Sequence, residues 1–126
     1  MIHPPVNQLI QVTVVEPWEF YPPTVRNPFT ARVSDTSMDP SIATLGGIVI
    51  QALAPFAFRG HRCEYFVGSR RHAEPEMGPR DWQDAAYSFT AIPTDRALGP
   101  TPFDLSWWRG GVGLIAGINL AAPAES

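Results

Sequence analysis

The chain contains no lysine, and it holds a single cysteine, Cys63, among 126 residues. Without lysine, every basic side chain other than a histidine is a guanidinium, a planar group suited to bidentate contact with carboxylate or phosphate. Coding bias toward Arg, Ala, Gly and Pro explains the same composition without any function. One cysteine excludes an intramolecular disulfide and fits a reducing compartment. Long hydrophobic runs are missing too. The longest, residues 112–122, is interrupted by Asn119 and has about half of the ~20 residues needed to cross a bilayer. Residues 1–5 show no positive segment leading into an apolar run, so no secretion signal is expected. These absences predict a cytoplasmic protein without membrane attachment.

Charged residues make up only 17% of the chain and hydrophobic ones 44%, a balance that favours a folded globule over a disordered chain. The length fits one domain, residues 1–126, with 1–8 as an extended arm and 121–126 as a flexible tail. Fourteen prolines, about twice the usual ~5% share, leave little room for long helices.

What is present instead is period-2 alternation of β-branched and aromatic residues. Ile10, Val12 and Val14 share one face of a first strand, and Phe29, Ala31 and Val33 one face of a second. Residues 48–53 are nearly all apolar, as in a strand buried on both faces. Phe56 and Phe58 follow Pro55, where a bulge or an edge is expected because proline has no N–H for the ladder. Cys63, Tyr65 and Val67 alternate with Arg62, Glu64 and Phe66, and Tyr87, Phe89 and Ala91 form another run. Residues 112–120 read better as a last strand than as a glycine-weakened helix. The dipeptide Arg59-Gly60 predicts a tight hairpin loop, with Gly60 supplying a positive φ. Residues 74–86 form a long polar loop in which Asp81 and Asp84 suit a short helical start. Residues 101–109 suit one or two helical turns, with Thr101 as cap and Pro102 at the first helical position. The reading is all-β: a small antiparallel barrel or sandwich of five to six short strands, with at most one or two short helical turns.

The sharpest functional signal is electrostatic. Residues 59–72 hold four of the nine arginines and two of the three histidines against one acid, Glu64, in a chain of net charge −3. A concentrated basic segment on an acidic protein suits an anion or an acidic partner face. Arg59, His61, Arg62, Arg70, Arg71 and His72 are therefore candidate binding residues, placed at the two ends of one strand. A solvated edge strand whose charges discourage edge-to-edge pairing is the plainer account of them. Trp82, Trp107, Trp108 and Arg109 join the candidates because Trp and Arg dominate binding hot spots. Trp107 and Trp108 are adjacent, so both cannot point into one core.

Catalytic motifs are weaker. His61-x-Cys63 places an imidazole and a thiol on one face, but a zinc site needs two more ligands, and no spacing in the chain supplies them. Glu16 and Glu19 flank Pro17-Trp18 without the separation across a cleft that sugar hydrolysis requires. Residues 110–113 are glycine-rich but lack the lysine of a phosphate-binding loop. No cofactor and no metal is expected. The leading expectation is a small cytoplasmic protein-binding or accessory module using the basic hairpin and exposed aromatics. A single-stranded nucleic-acid-binding barrel ranks second, with aromatic stacking in its favour and the low pI against it. A small enzyme using Cys63 and His61 ranks third.

Overall fold

A computed structural model describes residues 3–16, 26–37, 47–58, 60–71, 78–94 and 114–121. Its six strands are β1 (Leu9–Glu16), β2 (Phe29–Ser37), β3 (Gly47–Phe58), β4 (His61–Arg70), β5 (Ala86–Pro93) and β6 (Leu114–Leu120). They pair antiparallel in chain order, and β1 pairs β6, so the sheet closes into an up-and-down barrel. Closure removes the edges that would otherwise have to be protected from strand addition. A 3-10 turn, Asp81–Asp84, precedes β5 and packs on β6. No helix among the described residues is long and apolar enough to cross a membrane.

The alternating residues fill the barrel. Ile10, Val12, Val14, Phe29, Ala31, Val33, Ile48, Ile50, Ala52, Phe56 and Phe58 all belong to one buried cluster, as the pattern of the first three strands implies. Aromatic rings run through it. Phe66 packs on Phe29 and on Phe56, both at 5.4 Å between centroids, and meets Phe89 edge-on at 6.4 Å. Phe89 stacks on Tyr87 at 5.7 Å, and Tyr87 meets His3 at 5.8 Å. Tilted and offset contacts of this kind add to simple area burial.

Phe66 belongs to the interior because of a β-bulge. The β4–β5 register shifts between Cys63 and Tyr65, so Glu64 is an extra residue on β4. Simple alternation from His61 puts Cys63, Tyr65 and Val67 on one face and Phe66 on the other. The bulge resets the phase. Cys63 and Phe66 both lie in the barrel core, while Tyr65 joins Val49, Ile92 and Val67 in a separate outer cluster. Gly68 follows on the inner side, where a Cβ would strike the Phe89 ring and the Ser88 carbonyl.

The hairpin between β3 and β4 has the expected two-residue loop: Phe58 pairs His61, and Gly60 has φ +80. Residues 3–8 lie back along the barrel, with the Asn7 N–H donating to the Val33 carbonyl at 2.8 Å. The helical turns expected in residues 101–109 and most of the tail lie outside the described residues.

Candidate binding groove

The two ends of the barrel differ in chemistry. At one end stand the start of β1, the end of β4 and the start of β5. Arg70 is buried there, 4% exposed, and its Nη1 lies 3.3 Å from Asp81 Oδ2, whose side chain is 7% exposed. The 3-10 turn carries Asp81 inward and lays Trp82, 2% exposed, over the core. Tyr87 shares a 3.1 Å hydrogen bond with His3 Nδ1, and burial pushes its phenol far above the ordinary tyrosine value, Arg70 opposing and Asp81 reinforcing the shift. The Arg70–Asp81 ion pair, Trp82 and Tyr87 fill this end of the barrel.

Two residues expected on a recognition surface are thus interior ones. Arg70 points inward because the bulge at Glu64 shifts the phase of β4, and Trp82 is drawn under the barrel rim by its turn. Arg71, one residue on, is exposed, with Nη1 3.5 Å from Ser88 Oγ. His61 and Arg62 are exposed at the opposite end of β4, about 30 Å away at the rise of an extended strand. The basic segment therefore does not form one surface. Arg59, His72, Trp107, Trp108 and Arg109 lie outside the described residues.

His61 and Cys63 also part company. His61 is exposed, Cys63 is fully buried, and the thiol lies 3.8 Å from the His61 main-chain oxygen. Among the described residues no three His, Cys, Asp or Glu side chains gather as metal ligands.

The end that carries His61 and Arg62 is where the barrel wall opens. β2 pairs with β3 only as far as Ala31 opposite Ala52, while β3 continues to Phe58 along β4. Between Gln51 and Phe56 the β3–β4 register shifts, and Leu53, Ala54 and Pro55 are exposed. On the other side of the gap, Asn27 holds the chain against β1. Its Oδ1 accepts the Val14 N–H at 2.8 Å and its Nδ2 donates to the Val14 carbonyl at 3.2 Å. Residues 26–28 are thereby tied to β1, and β2 pairs with β3 no further than Ala31 opposite Ala52.

The result is a groove of about 390 Å³ lined by Arg26, Pro28, Phe29, Thr30 and residues 52–56. Its floor is the pair Phe29 and Phe56, the outermost rings of the aromatic column. Leu53, 56% exposed, forms its lip. Arg26 is the charged residue in its lining. None of these residues was singled out as a site from the sequence. The available signal was Pro55 interrupting an otherwise regular strand.

No known protein family, curated protein or solved structure matches the chain.

Proposed function

We propose that the protein is a small cytoplasmic binding module that engages another protein at the open end of its barrel. The observation that carries this reading is the groove between β2 and the projecting half of β3. It is concave, mostly apolar, and bears one guanidinium, the composition of a site that fixes a ligand's orientation with few polar groups. Leu53 places a large aliphatic side chain in solvent at its lip, and His61 and Arg62 are exposed at the same end. Arginine beside desolvated apolar surface is the pairing that dominates protein-binding hot spots.

A photo-reactive residue placed at Leu53, in the cells that make the protein, tests this. One cross-linked protein, unaffected by nuclease and lost when Arg26→Glu is added, is the expected result. Cross-links only to nucleic acid, or none, would overturn the reading.

A further inference from the structure

A second cation stands beside the groove. On β2, Phe29, Ala31 and Val33 face the interior, so Thr30 and Arg32 face outward together. Thr30 lines the groove. Arg32 lies directly opposite Gln51 on β3, and Leu53, two residues on from Gln51 along the same face, is its diagonal neighbour at about 7–8 Å. Arg32 is exposed, and no hydrogen bond or ion pair among the described residues engages its guanidinium. Gln51 turns the other way: its Nε2 donates to Glu64 Oε2 on β4 at 3.5 Å, which holds that acid on the far side of β3 from Arg32. The lip of the groove therefore joins an aliphatic side chain in solvent, Leu53, to a guanidinium with its donors unused.

We propose that the groove takes a large apolar side chain from a loop of the protein partner, and that an Asp or Glu beside that side chain pairs with Arg32. This inference rests on the protein-binding reading above. The chemistry of the occupant follows from the walls. Phe29 and Phe56 form an apolar floor, and Leu53 closes over it. Pro28 on one wall and Pro55 on the other have no N–H, so the main chain offers few donors to a polar ligand, and an apolar side chain needs none. The five N–H donors of Arg32 suit a carboxylate held by two parallel hydrogen bonds. Exposed Arg62, at the same end of the barrel, adds positive charge and disfavours a basic partner.

The test is a selection of randomised peptide loops on the whole protein, followed by NMR and titration of the selected sequences. The expected loops carry a large aliphatic or aromatic residue next to Asp or Glu. Shifts should concentrate on Thr30, Arg32, Leu53 and Phe56. Arg32→Gln should weaken binding about tenfold, Leu53→Asp at least as much, and Arg80→Gln, an exposed arginine before the 3-10 turn, not at all. A selection repeated on Arg32→Glu should exchange the acidic residue for Lys or Arg. Arg32 and Leu53 are exposed, so these variants keep the folded barrel, which a thermal melt verifies. Loops without an acidic residue, or binding unchanged by Arg32→Gln, would overturn the pairing with Arg32. No selected loop, or shifts elsewhere on the barrel, would overturn the proposed site. If the Leu53 cross-link still captures one protein in either case, the binding module stands and only this mode of recognition falls.

Discussion

The Asn27 side chain occupies the place of a strand residue opposite Val14. It accepts the Val14 N–H and donates back to its carbonyl, two hydrogen bonds that a main-chain neighbour would make in a regular ladder. One side chain therefore seals the β1 side of the barrel end by anchoring residues 26–28 there. Replacing it exposes what each bond contributes. Asn27→Ala should cost about 1–3 kcal/mol in urea denaturation, because both Val14 groups lose their partner in a part-buried setting. Asn27→Asp keeps an acceptor for the N–H but sets a carboxylate against the carbonyl, and should not restore stability.

The buried Arg70–Asp81 pair at the other end predicts a different pattern. Arg70→Met leaves a carboxylate in a site 7% exposed and should destabilise by about 3–5 kcal/mol. Combining it with Asp81→Leu should recover much of the loss, since the desolvated charge is then gone. Unfolding of the two single variants and the double variant measures this directly. Additive losses would mean that the two residues act independently.

Tyr87 ties stability to alkaline pH. Burial raises its phenol well above the value near 10 expected in the unfolded chain, so the folded state holds its proton more tightly. The unfolded chain then releases that proton first. The stabilisation is complete below about pH 10 and is lost as pH rises beyond it, toward the folded value. Tyr65 shifts in the same direction, by burial and then by Glu64. Tyr87→Phe should lose about 1 kcal/mol at pH 7 with the His3 contact, and its stability should fall less steeply above pH 10. Chemical denaturation between pH 7 and pH 11 supplies both numbers.

Gly68 is a packing requirement. An added Cβ would lie on the Phe89 ring and 2.5 Å from the Ser88 carbonyl oxygen, and the latter is backbone that cannot rotate away. Gly68→Ala should cost about 3 kcal/mol or more and broaden the β4–β5 amide signals. Gly60, which meets nothing within 4 Å but sits at φ +80, should lose only the strain of that conformation when changed to Ala.

Cys63 is fully buried between Phe56 and the end of β5. Alkylation should be slow in native buffer and accelerate with denaturant, as for a structural thiol. Fast labelling of the folded protein would return a reactive role to this position.

Most strands were legible because burial on one face imposes period 2, and Ile10 to Val14, Phe29 to Val33 and Tyr87 to Ala91 obey it without interruption. The tight turn at Gly60 and the irregularity near Pro55 were legible for local reasons, a positive φ and a missing N–H. The inner side of β4 was not. Nothing in Cys63-Glu64-Tyr65-Phe66 announces a bulge, since the extra residue has meaning only against β5, and it decides that Phe66 and Arg70 turn inward. Trp82 misled for the same reason: a polar loop does not disclose that its 3-10 turn will fold across a barrel end.

Sequence alone determined the class of fold, because side-chain alternation, proline and turn chemistry act within a few residues. Tertiary structure decided which ends of the strands meet, where pairing stops and which arginines see solvent. The groove at Arg26, Phe29 and Leu53 belongs to that second kind. It arises from a mismatch in length between β2 and β3, a relation between segments that neither contains by itself.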